Sequence, residues 1–464
     1  MDLSPDGIRL ICTTLIISNY VFETYLDLRQ YLRLKDQRQT GISPVVKKYL
    51  EQHRRKKPED SDELKDENTT EENKEKTTTD DNETHKKTLS YNIASKKLGF
   101  ITGAIDVVQE LLIFRFNFLY LMWEFSSNVI LSQWLGVSNA KDYEITISIL
   151  VTILGYLFGL LFSVPTSLYR TFVLEEEFGF NKSTLKLWVT DLIKSTMLGA
   201  VIGLPILSLM IYIIKNYAGP HMHIYVWASL FFLSIFMIAI YPDYIATLFN
   251  KFNPLPDGEL KDKIEDLARK VEFPLKGIYV MDGSTRSAHS NAYFTGFFGL
   301  KRIVLFDTIE KQMTTDEIVA ILAHEIGHWR YNHITKSLVI EQIYSFLMWY
   351  MVNTFIHSPV VYQAYGFKNQ RPALVGITAI MTLYSPVNQL ISFSRNWLSR
   401  KHEYEADFYA SSTLNKKDLA PALVAIHREN LSDMDPDPLY STLKYSHPTL
   451  LERLRAIETA TKSQ

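Results

Sequence analysis

Cysteine is nearly absent from this chain of 464 residues, which contains Cys12 and no other thiol. A single cysteine excludes a disulfide framework and any zinc site built from several thiolates. The net charge is also small, −2 at neutral pH, and gives no argument for a nucleic-acid partner. If the chain binds a metal ion, nitrogen and oxygen ligands must therefore hold it.

The N-terminus lacks the basic leader and the small-residue cleavage site of a secretory signal peptide. We therefore expect its apolar stretch to remain in the protein as a first membrane span. Hydrophobic residues make up 47% of the sequence, and they concentrate in stretches near the roughly 20 residues needed to cross a bilayer. The sequence predicts seven such spans, near 8–27, 105–133, 144–165, 191–214, 224–241, 337–356 and 373–393.

Lysine and arginine are unevenly distributed around these spans. Six basic residues lie between positions 29 and 48, whereas the loops 134–143 and 215–223 carry one lysine each. Because cytosolic loops are enriched in these residues, we expect a lumenal N-terminus. An odd number of spans then places the C-terminus in the cytosol. Four glycosylation sequons would face the cytosol and stay unmodified, at Asn68, Asn82, Asn181 and Asn430.

Residues 53–88 form a strongly charged tract with one large apolar residue, Leu64. Such a segment cannot bury enough apolar surface to offset the entropy cost of ordering. It is predicted to be a disordered cytosolic loop that separates the first span from the rest of the chain.

His324, Glu325 and His328 form the pentapeptide HEIGH, an HExxH pattern typical of zinc sites. Residues four apart lie on one face of a helix, so both imidazoles can bind one Zn²⁺. Glu325 can then take a proton from the metal's water, whose pKa zinc lowers to roughly 7. The preceding TTDEIVAILA predicts a helix with Thr315 as its N-cap and acidic residues in the first turn.

A third protein ligand must come from elsewhere in the chain. The metzincin pattern needs a histidine at position 334, which is isoleucine, and His333 is interpreted as a bystander. The segment RKHEYEADFYA offers Glu403, with Asp407 four residues on, so one carboxylate can bind metal while the other orients a ligand histidine. A solvated charged helix without metal is the alternative. Two other glutamates remain as rival ligands, Glu405 and Glu341.

A soluble segment near 242–336 lies between the fifth and sixth predicted spans. It begins with the amphipathic helix pattern NPLPDGELKDKIEDLARKVEFP and continues with two strand patterns, KGIYVMD and KRIVLFD. Between them, NAYF at 291–294 is a candidate edge strand that would bind an extended substrate through backbone hydrogen bonds. A simple core hairpin is the alternative.

These features divide the chain into six segments. They are a first span with a cytosolic segment (1–52), the charged loop (53–88), spans two to five (89–241), a soluble metalloprotease segment with the HEIGH helix (242–336), spans six and seven (337–393), and a C-terminal helical segment that completes the metal site (394–464).

Six motifs are distributed along the chain: HEIGHW, NAYFTGFFGLKRIVLFDT, SRKHEYEAD, YRTFVLEEEFGFNKST, FETYLDLRQ and SHPTLLERL. On these motifs the chain resembles the type I CAAX prenyl proteases, zinc endopeptidases of the endoplasmic reticulum and inner nuclear membranes. The resemblance implies a mainly α-helical fold, a polytopic seven-helix membrane barrel enclosing a water-filled chamber, with a gluzincin-like zinc metalloprotease domain at the cytosolic face. It also implies removal of the C-terminal three residues of prenylated CAAX proteins and, in some substrates, a second upstream cleavage.

The same resemblance implies a role for each site residue. One Zn²⁺ per chain would be bound by His324, His328 and Glu403. Glu325 would be the base, and His447 in SHPTLLERL would contact the tetrahedral intermediate. Asp407 would support one of the ligands. The residues expected to bind substrate are Asn291, Ala292, Tyr293 and Arg453.

Two departures from the family pattern concern the charged tract, which looks longer, and the tail TKSQ, which has no dilysine retrieval signal. Neither departure affects the expected fold or chemistry. The expected partners are prenylated CAAX substrates and a lipid bilayer. HtpX-like quality-control proteases also combine HExxH with a distant EYEAD, and a transporter or scaffold without activity is a third interpretation. The YRTFVLEEEFGFN and SHP motifs favour the prenyl protease.

Overall fold

The structure, a computed structural model, describes residues 4–54, 71–296, 301–413 and 418–462. The first part of the chain contains helices α1 (Pro5–Thr40), α2 (Pro44–Arg54), α3 (Glu71–Arg115), α4 (Phe118–Glu124), α5 (Glu144–Tyr169), α6 (Leu185–Asn216) and α7 (Met222–Ile240). Stretches of π-helix extend α4, α5 and α7, over Phe125–Trp134, Arg170–Leu174 and Tyr241–Ile245.

The second part contains a small sheet and the remaining helices. The strands are β1 (Phe252–Pro254), β2 (Leu275–Met281), β3 (Ala292–Thr295) and β4 (Lys301–Phe306). The helices are α8 (Glu259–Lys270), α9 (Ile309–Gln312), α10 (Thr315–Arg330), α11 (His333–Phe355), α12 (Pro359–Ala364), α13 (Ala373–Thr413), α14 (Leu419–Glu429), α15 (Pro438–Lys444) and α16 (Leu450–Lys462).

Within the described residues, α5, α6, α7 and α13 are long and apolar enough to cross a membrane. No more than 28% of the most apolar stretch in each is buried inside the protein, so their outer faces need an apolar surrounding. Predicted spans three, four, five and seven fall in these helices. The other three predicted spans are helical but are not among these four helices. The count of seven membrane spans and the chamber that they would enclose therefore stay predictions.

The predicted span over 105–133 is helical but contains a break. Helix α3 ends at Arg115 and α4 begins at Phe118, with Asn117 between them at φ 49°. Asparagine adopts this left-handed conformation more readily than most residues. Its Oδ1 also accepts a hydrogen bond of 2.7 Å from Arg9 Nη2, which ties the break to α1.

The disorder predicted for 53–88 is wrong at both ends of the segment: His53 and Arg54 belong to α2, where His53 is buried. Residues 55–70 lie outside the described residues, but α3 begins at Glu71 and runs without interruption into the apolar part of the helix. A helix nucleated by packing extends at lower cost than an isolated helix forms, because nucleation is the costly step. The packing here is that of Leu89 against Leu34 of α1, both fully buried.

The sheet has the strand order β1-β2-β4-β3, with β2 and β4 parallel and the other pairs antiparallel. The predicted strands KGIYVMD and KRIVLFD correspond to β2 and β4. NAYF supplies β3, which lies at the edge and pairs only with β4 among the described residues. The edge position predicted for this segment is therefore confirmed.

The sheet shares one hydrophobic core with α2, α8, α10, α14 and α16. Helix α10 passes through the middle of this core, where ten of its sixteen residues are buried. A second core joins the membrane helices. The helix that carries HEIGH is thus held on several sides by apolar packing before any metal is considered.

Candidate active site

Helix α10 has a well-defined N-terminus. The Thr314 hydroxyl accepts a hydrogen bond from the Glu317 N–H, and the Glu317 carboxylate accepts one from the Thr314 N–H, a reciprocal capping box. The predicted N-cap, Thr315, is therefore one residue too late. Glu317 is fully buried and its other oxygen lies 2.6 Å from His53 Nδ1 of α2, so α2 also fixes the start of this helix.

The glycine of HEIGH allows α10 to approach α13 closely. A Cβ atom at Gly327 would lie 3.0 Å from Cα of Ala406 and 3.2 Å from its carbonyl oxygen, tighter than ordinary packing contacts. Ala406 stands between Glu403 and Asp407 on α13. The contact therefore brings both carboxylates next to the histidines of α10.

The three predicted ligands meet at one point. His324 Nε2 lies 3.2 Å from His328 Nε2 and 3.3 Å from Glu403 Oε2, and His328 Nε2 lies 3.2 Å from Glu403 Oε1. Tetrahedral zinc with bonds of about 2.0–2.1 Å would separate its ligand atoms by about 3.3–3.4 Å. Glu403 Oε2 is buried and has no hydrogen-bond partner among the described residues. The donor set, two imidazoles and one carboxylate, therefore fits a zinc ion.

Asp407 and Arg453 support this cluster from behind. Asp407 Oδ1 lies 2.9 Å from His324 Nδ1, and the Arg453 guanidinium donates to both Asp407 oxygens, at 2.9 and 2.6 Å. Burial opposes a charge on His324, but the neighbouring carboxylates of Asp407 and Glu403 outweigh burial and raise its pKa to about 9. The supporting role predicted for Asp407 has this geometric basis. Arg453 is buried against Asp407, and its contact with substrate stays a prediction.

Glu325 lies between the two histidines in sequence and close to their charges. Burial raises the pKa of its carboxyl group above the ordinary value, although the charges on His324 and His328 oppose that rise. A carboxylate with a raised pKa is a better proton acceptor near neutral pH. The electrostatics therefore suit the general base that the sequence predicts.

His447 reaches the site from the C-terminal segment. Its Nε2 lies 3.3 Å from Glu403 Oε1, and its side chain remains 63% exposed beside the ligands. Polar contacts with three helices hold the preceding residues 437–446 in place. The contacts are Arg29 with Asp437, Lys444 with Glu23, Lys96 with Tyr440, Asn396 with the Leu443 carbonyl, and Arg400 with the Ser441 carbonyl.

His333, interpreted from the sequence as a bystander to the metal, lies outside the ligand cluster of the described residues but contacts one of the ligands. Its Nδ1 lies 3.0 Å from Nδ1 of the ligand His328, and its Nε2 lies 2.9 Å from Glu405 Oε2. Burial lowers its pKa to about 4. Glu405, a rival third ligand in the sequence, points to His333, and Glu341 pairs with Arg395 at 3.1 Å. Of the three glutamates considered, Glu403 is thus the one that meets both histidines.

The predicted substrate strand begins at Asn291, whose Oδ1 accepts a hydrogen bond from the Ala292 N–H at 2.8 Å. The Asn291 carbonyl accepts from Phe306 N–H of β4. By the alternation of an antiparallel ladder, Tyr293 bonds inward while Ala292 and Phe294 turn their backbone groups to the free edge. Strand β3 packs beside α10, so this edge adjoins the ligand helix.

Sequence reasoning missed Asn430 as a site residue and treated it only as a sequon. Its side chain donates to the Ser290 carbonyl at 3.1 Å and accepts from the Ser290 N–H at 3.0 Å. This pair of bonds fixes the residue that precedes the edge strand. No local pattern signals such a contact across 140 positions of sequence.

Comparisons with known proteins agree with this geometry. Residues 58–251 match the family model for the CAAX prenyl protease N-terminal region, described as five membrane helices, and residues 254–461 match peptidase family M48. The CAAX prenyl protease 1 homolog of Arabidopsis thaliana is 40% identical over 444 residues, with 96% of each chain covered. CAAX prenyl protease 1 of Saccharomyces cerevisiae is 36% identical, with 97% of this chain and 95% of that protein covered.

A solved structure is similar over nearly the whole chain. The crystal structure of S. mikatae Ste24p is 37% identical and has a TM-score of 0.81, covering 97% of this chain and 99% of that one. Its likeness confirms the mainly helical membrane fold with an M48 peptidase domain. The ligand cluster, the full-length similarity and both family models lead to one conclusion: this chain belongs to the type I CAAX prenyl proteases, membrane metalloproteases of peptidase family M48.

Proposed function

We propose that the chain is a zinc endopeptidase that removes the C-terminal three residues of prenylated CAAX proteins. The observation that carries the proposal is the convergence of His324, His328 and Glu403 at zinc-like separations, beside a strand edge that no other described strand pairs with. The names of the relatives support the substrate class. His324, His328 and Glu403 would hold the ion, one per chain.

Bound zinc would polarise the scissile carbonyl and acidify a water molecule. Glu325 accepts the proton of the attacking water and passes it to the leaving amine. His447, whose side chain is largely exposed with its Nε2 3.3 Å from Glu403 Oε1, donates a hydrogen bond to the oxygen of the scissile carbonyl as negative charge develops there. Asp407 keeps the proton of His324 on Nδ1, so that Nε2 is free to bind the metal.

Substrate would add as a further strand at the free edge of β3. The outward backbone groups of Ala292 and Phe294 supply hydrogen bonds that do not depend on side-chain identity. Binding at Ala292 N–H requires the Asn291 amide to turn from its present bond, which leaves that side chain available to the substrate. We therefore expect broad tolerance at the two middle CAAX positions.

The test is proteolysis by purified full-length protein of three peptides of equal length. They are a farnesylated CAAX peptide, its unprenylated form and an unrelated extended peptide, each with and without a chelator. The farnesylated peptide should have the highest kcat/KM, because burying each CH₂ contributes about 0.8 kcal/mol, less the cost of ordering the chain. Equal kcat/KM values for all three would favour a quality-control protease, and failure to bind zinc at all would favour a scaffold.

The membrane orientation is part of the proposal: a multi-pass protein of the endoplasmic reticulum with a lumenal N-terminus and a cytosolic C-terminus. The lysine and arginine bias supports this orientation. The Asn430 Nδ2, where a glycan would be attached, donates to the Ser290 carbonyl at 3.1 Å, which agrees with an unmodified Asn430. A sequon introduced into 357–372 should be glycosylated, whereas Asn181 and Asn430 should not. Glycosylation of Asn430 would show that the C-terminal segment is lumenal and that the proposed orientation is wrong.

A further inference from the structure

A chain of three side chains runs outward from the ligand His328. Its Nε2 faces His324 and Glu403, while its Nδ1 lies 3.0 Å from Nδ1 of His333. On the opposite side of the His333 ring, Nε2 lies 2.9 Å from Glu405 Oε2. These contacts join α10, α11 and α13 in one line.

The proton positions in this line follow from hydrogen-bond chemistry. A histidine that binds metal through Nε2 carries its ring proton on Nδ1. His328 must therefore donate to His333, whose Nδ1 has to be an unprotonated acceptor. The remaining proton of a neutral His333 is then on Nε2, where it can be donated to the Glu405 carboxylate. With His328 bound to metal and His333 neutral, this is the one placement of the ring protons in which both contacts are hydrogen bonds.

The ring of His333 is held firmly in this position. It is 3% exposed and stacks on His402 with ring centroids 4.0 Å apart and an interplanar angle of 7°. Tyr331 stacks on it as well, at 5.7 Å and 26°. The residue is buried between aromatic neighbours, and both of its nitrogens have polar partners, as buried polar atoms generally need.

The two ligand histidines therefore have different supports. His324 has Asp407 directly on its Nδ1, with Arg453 behind. His328 has no carboxylate on Nδ1 among the described residues and is connected to Glu405 through His333. The partner of a ligand histidine orients the ring and raises its basicity, and its loss typically weakens metal binding 10–100-fold.

Resting on the proposed zinc function, we propose that His333 and Glu405 are positioning residues for the metal: His333 orients the ligand His328 by accepting its Nδ1 proton, and Glu405 fixes the tautomer of His333 that can do so. Neither residue touches the metal or the substrate in this assignment. Both act through the ring of His328.

The test is the zinc dissociation constant of purified full-length variants, measured by competition with a chelator. His333→Ala should raise the zinc Kd 10–100-fold. His333→Asn should recover part of that loss, because its amide oxygen can accept the His328 proton. Glu405→Gln should give a smaller increase than His333→Ala, because an uncharged acceptor remains. The visible spectrum of the cobalt-substituted protein should change for His333→Ala, since the geometry of a ligand has altered.

Glu341→Gln is the matched control, a glutamate-to-glutamine change at the exposed ion pair with Arg395 that contacts no ligand. It should leave the zinc Kd unchanged. An unchanged zinc Kd for His333→Ala, or equal losses for the Ala and Asn variants, would overturn the proposal. If His333→Ala does not fold, Glu405→Gln decides alone, because its side chain is 36% exposed, and an unchanged Kd there refutes the relay. A wild-type protein that binds no zinc would refute the proposed function itself.

Discussion

The two sides of the active site are built in different ways. On one side, α10 supplies His324, Glu325 and His328 from five consecutive residues and is embedded in the apolar core. On the other, His447 and its neighbours come from a C-terminal segment held by polar contacts. One of these, between Arg29 of α1 and Asp437, joins residues 408 positions apart.

This difference implies a division of tasks. The side built by packing presents the metal ligands, whose positions must be accurate to a fraction of an ångström. The side built by ion pairs and hydrogen bonds presents a residue that acts on the substrate oxygen. Exposed ion pairs contribute little to stability, so we expect changes in the polar network to alter turnover more than metal binding, and changes in the packing to do the reverse.

The largest effect should come from Glu403→Ala, which removes the ligand that α13 contributes. The two histidines alone cannot hold a tetrahedral ion tightly, so the purified variant should contain no zinc by elemental analysis and should show only the activity of the chelated enzyme. Glu341→Ala is the control, since Glu341 pairs with Arg395 outside the cluster. Full zinc occupancy in Glu403→Ala would show that another carboxylate completes the site.

Glu325→Gln should have the next largest effect, and on turnover alone. The substitution keeps the size of the side chain and all three ligands but removes the proton acceptor, so kcat should fall by roughly 10² or more. Zinc content and thermal stability should match the wild type. Loss of zinc from this variant would mean that Glu325 has a part in metal binding and that the two tasks are not separated on α10.

How far the sequence predicts this site depends on how local each contact is. The ligands of α10 and the Glu403–Asp407 pair follow from helical spacing, which fixes neighbours three and four residues apart. His447 and Arg453 came only from a family resemblance, because their contacts join separate elements. The same limit explains why the sequence did not predict the contacts of His333, whose partner Glu405 is 72 positions away. The disorder assigned to 71–88 failed because composition does not reveal that a packed helix continues into a charged segment.

Gly327→Ala tests the packing side. The added Cβ would lie 3.0 Å from Cα of Ala406, so α13 must move by a few tenths of an ångström, and overpacking of this kind costs about 1–3 kcal/mol. We expect a lower melting temperature and an increase of about tenfold in the zinc Kd. Gly203→Ala in α6 is the control, since its Cβ would meet no atom within 4 Å. A wild-type zinc Kd for Gly327→Ala would mean that the helix contact does not set the ligand positions.

Arg29→Gln tests the polar side and should have the smallest effect. Arg29 donates to both oxygens of Asp437, at 3.1 and 2.9 Å, from a side chain that is 39% exposed. An ion pair of that exposure contributes little to stability, so its loss should lower the rate by no more than about fivefold. Asp437 also keeps its bonds to the Tyr440 N–H and to Gln30, so the segment should loosen without detaching. We therefore expect kcat for the farnesylated peptide to fall up to about fivefold with an unchanged zinc Kd. Arg269→Gln, which breaks an exposed pair on α8, should change neither quantity. A shift in the zinc Kd for Arg29→Gln would show that the first helix acts on the metal ligands as well as on the segment that carries His447.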